Sequence, residues 1–263
     1  MLLFQYIVFF RGSGMTIDEF ERDNKHLADQ MRDCCQENMY HFDREKRSFN
    51  NVLEHTDKVV KSMHNQLFYM HENDIGKEIL DISAIMHDIG KPMTAAFRTV
   101  DDTWFDSQRT MMNRLGHVQT KEESSAFLKM EIKKSIKTFY GHDMESTALA
   151  DQILRVYPSE VREKSVILIH AHQHQLPPAS KSRSMRRYVR RIGGIQMMDY
   201  LLALQKADCI GQNYSERIAD IIDWENEFHS FPEYREYVRI GCDALAINTI
   251  QDIYSSTMKK ATF

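Results

Sequence analysis

Asp81-Ile82-Ser83-Ala84-Ile85-Met86-His87-Asp88-Ile89-Gly90-Lys91-Pro92 is an apolar stretch of helical character with adjacent histidine and aspartate in its last turn, stopped by Gly90 and Pro92. Burying an imidazole and a carboxylate at such an end without partners costs several kcal/mol. A divalent cation would satisfy both and hold the carboxylate ionised. The plainer reading is a helix C-terminus with His87 near the negative end of the dipole and Asp88 in water. The rest of the chain has to decide between them.

Upstream, Val52, Thr56, Val59, Val60, Met63, Leu67 and Met70 recur at helical spacing, and His55 falls three residues after Val52 and four before Val59. His55 therefore faces inward. Downstream, Met197, Leu201, Leu204 and Asp208 share one helix face, and Leu204 and Gln205 occupy the turn before Asp208, where a cationic partner would stand. Three separated helices thus each carry a metal-ligating residue at an apolar position. The 10 Gly and 5 Pro fall mostly between such segments, and strand-like alternation is nearly absent outside residues 2 to 10. The pattern predicts an all-α fold, a compact multi-helix bundle with helices near 17–38, 50–71, 77–89, 117–137, 143–156, 159–173, 183–191, 195–210, 215–228 and 233–259. Residues 91 to 116 read as a long loop over a functional face. The organisation expected is an N-terminal extension and helix at 1–45, a core at 46–225 and a C-terminal helical extension at 226–263.

Composition bounds the function. Across 263 residues, 42% hydrophobic and 27% charged content suits a globular protein, and a net charge of −4 opposes a surface built throughout for nucleic acid. Cys34, Cys35, Cys209 and Cys242 form neither a CxxC zinc motif nor a disulfide framework, which fits a reducing cytoplasm. The apolar run Leu2–Phe10 is far shorter than the roughly 20 residues of a membrane helix and has no basic region ahead of it. No membrane association is expected. Met15 precedes the capping box Thr16-Ile17-Asp18-Glu19, so residues 1–14 are expected to lie ahead of the native start.

Together, His55, His87-Asp88 and Asp208 resemble the HD-domain superfamily, whose pattern is a His, a His-Asp pair and a distant Asp gathered on metal. Gly90-Lys91-Pro92, Gly116-His117 followed by Ser124-Ser125-Ala126, the Leu168-Ile169-His170-Ala171-His172 turn and Ala207-Asp208 stand in family order, over roughly residues 50 to 215. The arrangement looks most like the HD domain that accompanies bacterial tRNA nucleotidyltransferases, and like stand-alone phage and bacterial relatives. The resemblance implies a metal-dependent phosphohydrolase (phosphodiesterase or phosphatase) with His55, His87, Asp88 and Asp208 on metal. It adds His117 and His172 as ligands of a possible second ion, with Asp88 bridging and a metal-activated water as nucleophile. On a helix, His170 and His174 share a face and His172 points nearly opposite, so the resemblance favours His172 while spacing leaves the other pair open. Mixed imidazole and carboxylate donors suit Mn, Fe, Co, Ni or Zn, as one ion or two. Two alternatives stand: a di-iron oxygenase of the same type, and a non-enzymatic module binding a nucleotide or a partner protein.

For substrate phosphate, Lys91 is expected to place an ammonium beside the metal and act with Asp88 in catalysis. Lys181, Arg183, Arg186, Arg187, Arg190 and Arg191 crowd a short stretch of an acidic chain. Arg186 and Arg187 are expected to contact phosphate and Tyr188 to stack on a base, making a nucleotide or RNA end the expected substrate class. A solvated basic helix face is the plain alternative.

Overall fold

In the computed structural model the described residues are 15–37, 41–43, 46, 48–114, 121–212 and 214–239. They form the expected all-α body. In chain order come α1 (Ile17–Asp23), α2 (Lys25–Asp33), β1 (Phe42–Asp43), β2 (Ser48–Phe49), α3 (Val52–His64), α4 (Leu67–His71), α5 (Asp74–Met86) and α6 (Lys91–Thr94). Then follow β3 (Ala96–Thr99), α7 (Asp102–Arg114), α8 (Lys121–Lys133), β4 (Ser135–Thr138), α9 (His142–Ile153), α10 (Ser159–Ala171), α11 (Ser182–Ile192), α12 (Ile195–Gly211) and α13 (Ser215–His229). Residues 232–239 are again helical.

The centre of the body is α12, buried on nearly every side and packed by α3, α5, α10, α11 and α13. Its composition explains the position, because a helix apolar all round is stable only when surrounded. Around it, Ile79, Ile82, Ile85 and Met86 of α5, Val52, Val59 and Met63 of α3, and Leu168 and Ile169 of α10 complete one main core. α3 starts where Asn51 accepts from Glu54 N and Glu54 answers to Asn51 N, a capping box that sets the register of His55. The expected box at Thr16 and Glu19 opens α1 in the same way. Val100, Phe105, Phe127 and Met130 form a second, smaller cluster under β3, α7, α8 and β4.

Several expected elements differ. The helix read over 17–38 breaks at Asn24, whose backbone leaves the helical region (φ −127°, ψ 44°) while its carbonyl accepts from Leu27 and Ala28 to begin α2. The helix read over 50–71 breaks between α3 and α4. The long loop read over 91–116 holds α6, β3 and α7, with β3 pairing antiparallel to β4, Ala96 opposite Thr138 and Thr99 opposite Ser135. A second two-stranded pair joins Phe42 to Phe49 and Asp43 to Ser48. Gly90 and Pro92 do not stop a helix in the expected way. Gly90 is right-handed (φ −81°, ψ −12°) and leads into α6, whose first turn tolerates Pro92 because N–H groups there have no intrahelical partner. Glycine stands at 90 because α9 passes against it: an added Cβ would lie 2.5 Å from Ser146 N and 2.7 Å from His142 O.

Candidate metal centre

Seven side chains from six helical elements and their caps meet in the interior: His55 of α3, His87 and Asp88 beyond α5, Lys91 of α6, His142 at the start of α9, His172 capping α10 and Asp208 of α12. All are buried. Asp88 is the hinge of the arrangement. Its Oδ2 lies 3.4 Å from His55 Nε2 and 3.2 Å from His87 Nε2, while its Oδ1 lies 3.2 Å from His142 Nε2 and 3.7 Å from His172 Nε2. Asp208 Oδ1 stands 3.0 Å from His55 Nε2 and 3.7 Å from His87 Nε2, and accepts from Gln212 Nε2 at 2.7 Å. Gly211 is placed by the same packing: a Cβ there would meet Val59 Cγ2 at 2.9 Å and the His55 ring at 3.2 Å.

Three of the imidazoles are oriented alike. His87 Nδ1 lies 2.8 Å from Ala84 O, His142 Nδ1 2.6 Å from Phe139 O and His172 Nδ1 2.6 Å from Ile169 O. A carbonyl only accepts, so each Nδ1 carries a proton and each ring turns its Nε2 edge toward Asp88. Metal-binding histidines are held by this kind of outer hydrogen bond. Lys91 Nζ fixes Asp88 Oδ2 at 2.6 Å and donates to Gln36 Oε1 at 2.6 Å.

Asp88 Oδ1, His142 Nε2 and His172 Nε2 are nonetheless buried without a hydrogen bond. Asp81, on the same segment, shows how this fold satisfies an ordinary buried acid: Tyr69 OH donates to it at 3.0 Å and His64 Nε2 lies 2.8 Å away. The orphaned set at Asp88 has the donor chemistry of a cation site instead. Two groups, His55/His87/Asp88 and Asp88/His142/His172, each have ligand atoms within 4.8 Å of one another and could hold a metal ion.

Electrostatics agree with that reading. Burial alone would raise the Asp88 carboxyl, but His87, Lys91, His142 and His172 hold it well below the carboxylate range. Asp208 follows the same logic, with burial opposed by His55 and His87. Burial would lower the His87 imidazole, yet Asp88 and Asp208 lift it to about 10, whereas burial keeps His55 and His172 below their ordinary value.

Protein-family models, curated proteins and solved structures return no match to this chain.

Of the residues expected at the site, His55, His87, Asp88, Asp208, His172 and Lys91 are brought together. His172 stands at Asp88, and His170 and His174 instead pair their rings 5.1 Å apart outside the cluster. His117 lies outside the described residues. His142, not singled out from sequence, supplies the second group's remaining nitrogen. Its signal was a second Gly-His pair, Gly141-His142, directly before a helix, with Ser146 four residues on.

The basic segment is a different matter. Arg186 is engaged by Glu233 at 2.9 Å and lies over the Phe231 ring at 4.4 Å, Arg187 is exposed, and neither has an ion pair or hydrogen bond to the cluster. Tyr188 is buried and packs toward Trp224 with Arg191 over its ring, so it has no free face for a base. Among the described residues no helix is long and apolar enough to cross a membrane, and Cys34, Cys35 and Cys209 are free thiols.

Proposed function

We propose that the chain is a metal-dependent phosphohydrolase of the HD type, hydrolysing a phosphomonoester or phosphodiester of a nucleotide or an RNA end. The observation that carries the reading is Asp88, a buried carboxylate whose two oxygens face two separate sets of histidine nitrogens. In this reading His55, His87, Asp88 and Asp208 hold one ion and Asp88, His142 and His172 a second. Donors this rich in imidazole favour Mn, Fe, Co, Ni or Zn over Mg. Such ions, when bound, supply Lewis acidity toward a phosphoryl oxygen and lower the pKa of water for attack on phosphorus.

The chain's own residues prepare that chemistry. Lys91 clamps Asp88 and adds positive charge close to where phosphoryl charge would build up. Ala84, Phe139 and Ile169 carbonyls lock three imidazoles in one tautomer, so no ring has to reorient. Surrounding apolar helices exclude bulk water, which strengthens every charge interaction inside.

The test is metal analysis of the purified protein together with turnover of a generic phosphodiester and of 2′,3′-cyclic and linear nucleotides, for wild type and Asp88→Asn. Metal-dependent ester hydrolysis that Asp88→Asn abolishes is the expected result. An iron-loaded protein that consumes oxygen and cleaves no ester would overturn the proposal.

A further inference from the structure

His172 reaches the cluster from a helix end that closes without the usual backbone devices. It is the C-cap of α10, with right-handed backbone angles (φ −57°, ψ −30°). The residues that follow, Gln173-His174-Gln175-Leu176-Pro177-Pro178, include no glycine and none adopts a positive φ, so no left-handed residue turns the chain back over the last carbonyls. Pro177 and Pro178 have no N–H to offer. His174 N reaches Ala171 O at 2.9 Å, but His172 O and His174 O receive no backbone N–H among the described residues.

A side chain of α12 stands in for those donors. Gln205 Nε2 donates to His172 O at 3.0 Å and to His174 O at 3.0 Å, using both hydrogens of one amide. Carbonyls only accept, so the amide turns its nitrogen and not its oxygen toward them. Gln205 is 1% exposed, in a stretch of α12 that is otherwise apolar from Leu201 to Leu204. Three residues on, along neighbouring positions of the same helix, Asp208 Oδ1 stands 3.0 Å from His55 Nε2. α12 therefore serves both halves of the cluster, one directly through Asp208 and the other through the backbone that carries His172.

We infer that Gln205 is a positioning residue for the second half of the metal centre, its two-pronged hold on the α10 cap aiming His172 Nε2 at the ion shared with Asp88 and His142. The inference rests on the two-ion reading proposed above for what His172 binds, but the hold on His172 does not. The ring's own bond, Nδ1 to Ile169 O at 2.6 Å, fixes it only relative to α10. Gln205 fixes the end of α10 relative to α12, as Ser146 fixes α9 against Gly90 on behalf of His142. His172 has the slack that such a hold must govern: its Nε2 lies 3.7 Å from Asp88 Oδ1, against 3.2 Å for His142.

The experiment is cobalt(II) titration of the metal-free full chain, followed by visible absorption and calorimetry, for wild type, Gln205→Leu and Gln66→Leu. Gln66 is the control because its Nε2 also donates to an α12 carbonyl, Ala203 O at 2.8 Å, and not to the α10 cap. Wild type is expected to take up two ions. Gln205→Leu is expected to keep the first at wild-type affinity and to bind the second at least tenfold more weakly, the usual effect of losing an outer partner. Gln66→Leu is expected to bind both as wild type does. Two ions held unchanged by Gln205→Leu, equal weakening of both, or the same selective loss in Gln66→Leu would each overturn the inference. Gln205→Asn, which keeps the amide one methylene short of the carbonyls, carries the same expectations should Gln205→Leu fail to fold. Histidine ring signals of the metal-free proteins in NMR give a reading that needs no ion: those of His172 should shift in the Gln205 variant while those of His87 and His142 stay, and an unmoved His172 overturns the inference. A wild type that takes up no cobalt overturns the metal and hydrolase reading, and the ring signals then decide the hold of Gln205 by themselves.

Discussion

His142 shows what a single residue contributes here. Its Nε2 faces Asp88 Oδ1 and its Nδ1 is committed to a carbonyl, as for His172. His142→Ala is therefore expected to cut bound metal as far as His172→Ala does, whereas His170→Ala keeps wild-type metal content; atomic absorption on the three purified variants checks this. His55, His87, Asp88 and Asp208 were legible beforehand because each is a polar side chain at a position that helical periodicity assigns to the core. His142 was not, since it opens its helix, where periodicity carries no information, and Gly116-His117 offers the same local pattern. What places His142 is tertiary: the seat of Ser146 and His142 against Gly90, made across more than 50 residues of chain.

Between elements, the junction of α9 with the turn after α5 positions both halves of the cluster. Gly90 N donates to Ser146 Oγ at 2.9 Å, and there is no room at Gly90 for a side chain. Gly90→Ala must push α9 away and is expected to cost about 1–3 kcal/mol or more. Ser146→Ala leaves the Gly90 N–H buried and unpaired, at a cost of about 1–3 kcal/mol. Both are read by denaturant unfolding, with the signature that metal content falls along with stability. Long periodic helices such as α10 and α12 were legible almost to their ends. The break at Asn24 and the β3–β4 pair were not, because one is a single backbone excursion inside a continuing pattern. The other joins four-residue strands from distant parts of the chain, and such pairing leaves no local trace.

For the whole molecule, the cluster makes stability depend on pH and on metal in opposite ways. In metal-free protein His87 is lifted from 6.5 to about 10, so the stability it contributes is complete below pH 6.5 and is lost as pH rises toward 10, by up to about 1.4 kcal/mol per unit. His55 and His172 are held below 6.5, so they draw stability down as pH falls through that value, and Asp88 and Asp208 add to the loss at still lower pH. The stripped protein is expected to be most stable near pH 6.5. Metal requires His87 to be deprotonated, so its affinity, and the melting-temperature gain on adding it, should grow from pH 6 to 9. Thermal melts with and without chelator over that range check both signs; a metal gain that shrinks with rising pH would contradict the ligand assignment.

The second cluster of Val100, Phe105, Phe127 and Met130 gives the small lobe of β3, α7, α8 and β4 its own cooperative unit. Its opening free energy is set by a handful of side chains, whereas α12 opens only with the main core. Amides of β3 and β4 should exchange with deuterium well before those of α12. The lobe is then able to breathe while the imidazoles of the main body keep their places, and substitutions at Phe105 would loosen the lobe without moving the His–Asp cluster.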